Sequence, residues 1–273
     1  MPKYAFLFLF VLAGLPVFAQ SNALEVLHGR PLKIEEVTNY YHVPYFYEDL
    51  IKKTKTFGTD GMLQLVEETQ HDHDDKATIR TAYVNDTLRK LILSLTTERW
   101  DKYGYTKKTS DFSYDEKGFR TQVTERNEKG DTVSYYHYLN NEKGDPIESR
   151  YTDHKGSLYS MRKITYNYDS NTMISAGYFG EKEAFTGEQQ FRLLNFHMSS
   201  VHSDEVRNEV YNEKGDPIKY SIHSHHKWMY YFEAEYEYDE KGNWTSRKVY
   251  QLYTKRGKQK RMVSEHSVRK YTY

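Results

Sequence analysis

Asn141-Glu142-Lys143-Gly144-Asp145-Pro146-Ile147 recurs letter for letter at Asn212-Glu213-Lys214-Gly215-Asp216-Pro217-Ile218. The first four residues of this heptapeptide decide the fold. Asn accepts hydrogen bonds from the backbone just beyond it. Glu and Lys suit the right-handed central positions of a type I turn, and Gly takes φ > 0 at no steric cost. A type I turn followed by a left-handed glycine is the bulged connection of a β-hairpin. Each copy therefore predicts one strand entering and one leaving, with Gly144 and Gly215 at positive φ.

The same tetrapeptide stands at Asp115-Glu116-Lys117-Gly118, Asn127-Glu128-Lys129-Gly130 and Asp239-Glu240-Lys241-Gly242, with a looser copy at Asp153-His154-Lys155-Gly156. Degenerate copies are read at Asp169-Ser170-Asn171, Thr59-Asp60-Gly61 and Asn85-Asp86. Consecutive turn glycines lie about 12–14 residues apart, which leaves roughly eight to ten for each strand, the turn spacing of all-β proteins. Just before the turns, Phe112-Ser113-Tyr114, Tyr136-His137-Tyr138, Tyr166-Asn167-Tyr168 and Tyr236-Glu237-Tyr238 place two rings at i and i+2. Side chains alternate faces along a strand, so each pair shares one face, and aromatic ladders across neighbouring strands follow.

The fold class is all-β: antiparallel β-hairpin repeats forming a stacked or rolled sheet. Residues 172–208 break the repeat, and Gly177, Gly180 and Gly187 suggest an irregular insertion there. Helical character is thin. It is confined to Tyr47–Lys53 and to Thr87–Arg99, and the latter reads equally well as a buried strand around Leu91–Leu95.

The chain has 273 residues, of which 27 are Tyr, 13 Phe and 3 Trp. So many tyrosines, with their β preference and polar tips, suit sheets with partly buried faces better than a thick aliphatic core. Residues 1–19 read as an export signal: Lys3, an apolar run from Tyr4 to Phe18, and the small-residue cleavage site Val17-Phe18-Ala19 before Gln20. The run is shorter than the ~20 residues a membrane helix needs. No other long apolar run follows, so no membrane span is expected after cleavage, and residues 20–273 form a single β-repeat domain. With no Cys, disulfides, thiolate metal sites and lipid attachment at Cys are all excluded. The 39 Lys and Arg balance 39 Asp and Glu. This argues against a nucleic-acid partner. The one basic stretch, Lys255–Arg261, reads as a solvated hairpin around Gly257.

Tyr114-Asp115-Glu116-Lys117-Gly118, Tyr211-Asn212-Glu213-Lys214-Gly215 and Tyr238-Asp239-Glu240-Lys241-Gly242-Asn243-Trp244 resemble the motif of the YD-repeat (Rhs-type) family of exported bacterial proteins, in which Tyr-Asp, two variable residues and Gly recur. Gly29–Val37 also looks like the first strand of small exported proteins carrying these repeats. The resemblance covers 112–169 and 209–250, is weaker over 29–64 and absent over 172–208. It implies stacked or rolled antiparallel sheets and an exported protein. Large members form shells around toxins or bind carbohydrate.

Chemistry-bearing clusters are few. His71, His73 and Asp75 would share one face of a strand, and two His with a carboxylate can bind a divalent metal. His223 and His225 have the same geometry. No nucleophile elbow, phosphate loop or dinucleotide loop is present, so no catalytic residue and no cofactor is assigned. Trp228 and Trp244 are candidate sugar-stacking residues, with sheet anchoring as their other reading. The expected function is a non-catalytic exported protein that binds a cell-envelope or extracellular polymer such as carbohydrate, or a protein partner, from the periplasm or outside the cell. The alternative is an exported metal- or carboxylate-dependent hydrolase.

Overall fold

The structure, a computed structural model, describes residues 27–42, 47–72, 75–169, 172–180, 182–190, 205–223 and 229–273. Residues 1–19, read above as an export signal, lie outside these residues, as do His73, His225 and Trp228. Every regular element described is a β-strand: β1 Lys33–His42, β2 Tyr47–Phe57, β3 Leu63–Asp72, β4 Asp75–Asp86, β5 Leu91–Asp101, β6 Gly104–Tyr114, β7 Arg120–Arg126, β8 Thr132–Asn140, β9 Pro146–Asp153, β10 Leu158–Asn167, β11 Thr172–Phe179, β12 Lys182–Gln190, β13 Glu205–Tyr211, β14 Pro217–His223, β15 Met229–Tyr238, β16 Trp244–Lys255 and β17 Lys258–Thr272.

All 17 strands belong to one antiparallel sheet. Consecutive strands pair with each other, except that no pairing of β12 with β13 is found among the described residues, and β1 pairs with both β2 and β17. The first and last strands therefore meet inside the sheet, and among the described residues its free edges are β12 and β13. The two stretches with helical character are strands β2 and β5. Of the expected irregular insertion over 172–208, residues 191–204 lie outside the described residues, while β11 and β12 form a hairpin with a bulge between Gly177 and Tyr178 in which Gly187 pairs with Ser175. Only Gly180, at φ 59, serves the turn. The repeat is lost from the sequence there because the turn chemistry changed, while strand pairing persisted.

The turns form as their sequence demands. Gly144 and Gly215 have φ of 88 and 84. The Gly144 amide donates to the Asn141 carbonyl at 3.0 Å, and the Asn141 amide to the Asp145 carbonyl at 2.9 Å. Asn141 Oδ1 accepts from the amides of Lys143 and Asp145 at 2.9 and 3.0 Å. The register shifts between Leu139 and Asn140, which is the bulge such a turn requires.

Tyrosines then tie one hairpin to the next. The Tyr168 hydroxyl donates to Asp145 Oδ2 at 2.7 Å and accepts from Asn141 Nδ2 at 2.6 Å, while Lys143 Nζ stands 3.4 Å from its ring centroid. Tyr238 repeats this with Asp216, Asn212 and Lys214, at 2.6, 2.7 and 4.5 Å. Two residues earlier, the Tyr166 and Tyr236 hydroxyls donate to the carbonyls of Pro146 and Pro217. The rings of each i, i+2 pair stack on one face, with centroids 5.7 and 6.1 Å apart. Across strands, Tyr136, Tyr151 and Tyr159 form a three-ring ladder, with centroids 4.6 and 5.4 Å apart.

The covered face of the sheet is aromatic and polar. Buried aliphatic side chains are few, including Ile34, Leu63, Leu91, Val123 and Val249, whereas Ser134, Ser175, Ser221 and Ser267 are almost fully enclosed. Tyr40 on β1, Tyr220 on β14 and Tyr236 on β15 are all desolvated, with Glu265 raising each further.

Candidate functional site

The covered face between β15 and β2 carries a bonded charge network. Arg269 Nε donates to Glu36 Oε2 at 2.8 Å, and Arg247 is ion-paired with Glu265. Ser267 donates to Glu265 at 2.8 Å and lies 2.9 Å from the Thr38 hydroxyl. Burial alone would raise the Glu36 carboxyl, but Arg269, Lys55 and Lys53 outweigh it and hold the pKa below its ordinary value. Charges removed from water persist only when paired in this way.

Trp244 belongs to this network. It is 8% exposed, Arg269 Cζ lies 3.5 Å from its ring, Tyr236 meets it edge-on, and its carbonyl accepts from Tyr271. A sugar platform needs a free ring face. Trp244 has none, so the structure corrects its assignment as a ligand-binding residue to that of a sheet anchor.

Of the proposed metal residues, His71 and Asp75 are described and His73 is not. His71 is exposed and pairs with Lys76 across the β3–β4 hairpin, while Asp75 pairs with Asp72. The Asp75 carboxylate is 3.1 Å from Lys102 Nζ and caps the Lys76 amide. No group of three metal-ligating side chains is found among the described residues.

An exposed aromatic pair lies on the solvent face of β3–β6. The registers align Thr69, Thr78, Trp100 and Tyr105 in one row and Glu67, Arg80, Glu98 and Lys107 in the next. Trp100 and Tyr105 face each other across a tight turn, with centroids 5.3 Å apart and planes tilted by 39°. They are 41% and 40% exposed. The charged row alternates in sign: Arg80 approaches Glu67 at 3.9 Å and Glu98 at 3.4 Å, and Lys107 approaches Glu98 at 4.0 Å. The Tyr105 hydroxyl reaches diagonally to Glu98 at 3.0 Å, and desolvation together with that bond raises its pKa. Glu67, Thr78, Ile79, Arg80 and Trp100 line an open depression of about 410 Å³.

No family model and no curated protein matches the chain. Among solved structures it is similar to a porin-like protein from Bacteroides uniformis, at 14% identity and a TM-score of 0.48, over 90% of this chain and 99% of that one. It is also similar to the Photorhabdus luminescens Tc holotoxin pore, at 10% identity and a TM-score of 0.27, over 78% of this chain and 14% of that one. A TcdB2-TccC3-Cdc42 structure gives 10% identity and a TM-score of 0.25.

The Trp100–Tyr105 pair escapes a reading by motif because the turn between them, Asp101-Lys102-Tyr103-Gly104, is not a copy of the repeat. Its signal is weaker: an Asp three residues before a Gly, flanked at equal distance by two aromatics. Antiparallel pairing across a two-residue loop makes those aromatics direct neighbours.

Proposed function

We propose that the chain is an exported, non-catalytic β-repeat protein that binds a carbohydrate polymer of the cell envelope or its surroundings through the solvent face of β3–β6. The observation that carries this reading is the Trp100–Tyr105 pair beside the alternating row Glu67, Arg80, Glu98, Lys107. A pyranose ring offers an apolar C–H face and a rim of hydroxyls. An aromatic face meets the first, and carboxylates, guanidinium and ammonium groups meet the second as acceptors and donors. Exposed ion pairs are individually worth ~0–1 kcal/mol. Exchanging one partner for a sugar hydroxyl therefore costs little.

The resemblance of the turn motif to YD-repeat proteins, and the signal-like residues 1–19, support export. The charged row crosses four adjacent strands on the solvent face, and a lipid-facing barrel wall needs an apolar band there. This favours an aqueous setting. The depression is open, which favours binding over hydrolysis, since chemistry needs convergent groups held out of water.

The test is retention of the mature protein on a panel of insoluble polysaccharides and cell-wall preparations, with and without divalent metal. Metal-independent retention that weakens on Trp100→Ala, with the circular dichroism spectrum preserved, supports the reading. Turnover of any of these polymers overturns it.

A further inference from the structure

The β16–β17 hairpin outruns its neighbours. β15 pairs with β16 only as far as Leu252, and β1 pairs with β17 only from Glu265 onward. Between those points, among the described residues, β16 and β17 pair only with each other as far as Lys255 and Lys258, forming a two-stranded arm. The bulge between Val249 and Tyr250 sets the register of the arm and, with it, which side chains share a face.

That register opposes Lys255 to Lys258 and Tyr253 to Lys260. All four side chains lie on one face of the arm, and all four are exposed. Same-face neighbours along a strand are ~7 Å apart and direct cross-strand partners ~5 Å. Three ammonium groups are thus grouped around one ring. Among the described residues no carboxylate lies within ion-pair distance of Lys255, Lys258 or Lys260. By contrast, Arg261, on the other face, is held by Glu235 at 2.6 Å.

The turn itself adds a fourth cation. Arg256 and Gly257 have φ of 54 and 71, the two left-handed positions of a type I′ turn. Asn, Asp or Gly fill the first of these with less strain than Arg. A cation stands where the backbone favours another residue, at the tip of an arm in a chain whose total charge is balanced.

We infer that this arm is a second binding site, separate from the β3–β6 face, for a polysaccharide bearing carboxylate groups. Tyr253 takes the apolar face of a sugar ring, and Lys255, Lys258 and Lys260 take carboxylates on adjoining rings. A phosphate-rich membrane is a poorer match, because the aromatic of this face is a single ring set among lysines rather than an apolar wedge able to enter lipid. A nucleic acid is a poorer match because the rest of the chain offers no excess of positive charge to follow its backbone.

The experiment is affinity electrophoresis of the full chain in gels containing polygalacturonate, neutral dextran, a single-stranded oligonucleotide, or phosphatidylglycerol vesicles. Polygalacturonate retards the wild type most strongly, and retardation falls with added salt because the charges are exposed. The Lys255→Gln/Lys258→Gln/Lys260→Gln variant loses about tenfold or more in apparent affinity, the scale of a few exposed charge contacts together. Tyr253→Ala loses several-fold, while retardation in neutral dextran is the same for the wild type and both arm variants, which separates this site from the β3–β6 face. Retardation unchanged in the triple-lysine variant overturns the inference, as does stronger retardation by the oligonucleotide or the vesicles than by polygalacturonate.

Discussion

Tyr273 and Tyr168 make the same pair of hydrogen bonds with exchanged partners. The Tyr168 hydroxyl donates to Asp145, the fifth residue of its turn, and accepts from Asn141, the first. The Tyr273 hydroxyl donates to Asp239, the first residue, at 2.7 Å and accepts from Asn243, the fifth, at 2.8 Å. Lys241 covers the Tyr273 ring at 3.1 Å, as Lys143 covers Tyr168. What recurs is therefore one amide and one carboxylate around a phenol, in either order. A phenol has one proton to give and lone pairs to receive with, so two carboxylates would leave one without a donor.

This exchange predicts a double-mutant result. Asn141→Asp alone, or Asp145→Asn alone, should destabilise by about 1 kcal/mol, the worth of one hydrogen bond. The combined Asn141→Asp/Asp145→Asn protein should regain most of that loss, because it copies the Tyr273 arrangement. Urea unfolding of the four proteins measures the coupling. Additive losses would mean that Tyr168 does not read the pair as a unit.

Gly144 and Gly215 share a sequence and a φ near 85, but not an environment. A Cβ on Gly144 would meet Phe119 Cδ1 at 2.6 Å, whereas one on Gly215 meets nothing within 4 Å. Gly215→Ala should cost only the left-handed conformation, ~1–2 kcal/mol. Gly144→Ala should cost ~1–3 kcal/mol more through the clash. Thermal unfolding of both variants gives the comparison. Phe119 is the fifth residue of the Asp115 turn, the place that Asp145 and Asp216 hold in theirs, and it offers no acceptor for a tyrosine hydroxyl.

Alkali should unfold the protein at a defined point. Burial first, and Glu265 with it, pushes the phenols of Tyr40 and Tyr236 from 10.0 to about 12. Between these values the unfolded phenols lose their protons while the folded ones keep them. The native state then binds more protons, and stability falls as pH rises. Each of the two contributes on the order of 2–3 kcal/mol below pH 10 that is lost by pH 12. Guanidinium unfolding at pH 8, 10 and 11.5 follows the decline, and a flat profile would contradict the covered position of these rings.

Trp244→Ala should destabilise by ~3–5 kcal/mol, the range for truncating a buried aromatic. It also uncovers the Arg269 guanidinium. Calorimetric melting checks the size of the effect, and a change below about 1 kcal/mol, the scale of a surface substitution, would place the ring outside the core.

Much of the architecture was legible because its information is local. Asn141 to Gly144 specify a turn through their own side chains and backbone, and Tyr166 and Tyr168 share a face by alternation alone. The network around Glu265 was not legible, because it joins β17 to β1 and β16, and the closure of the last strand on the first leaves no local signal. Trp244 read as a candidate platform for the same reason: the arginine that covers it, Arg269, is distant in sequence. Thr172–Gln190 read as irregular because its turn at Gly180 lacks Asn and Lys, although the alternation that pairs β11 with β12 needs neither. The candidate site was hidden because Trp100 and Tyr105 become neighbours only through a turn outside the repeat.

The most direct measurement is isothermal titration of the mature protein and its Trp100→Ala variant with a soluble oligosaccharide of whichever neutral polymer retains the wild type. Binding through the Trp100–Tyr105 pair predicts a loss of about tenfold to a hundredfold in affinity, ~1–3 kcal/mol for one aromatic stacking contact, with the melting temperature unchanged. Equal affinities for the two proteins, at equal stability, would contradict it.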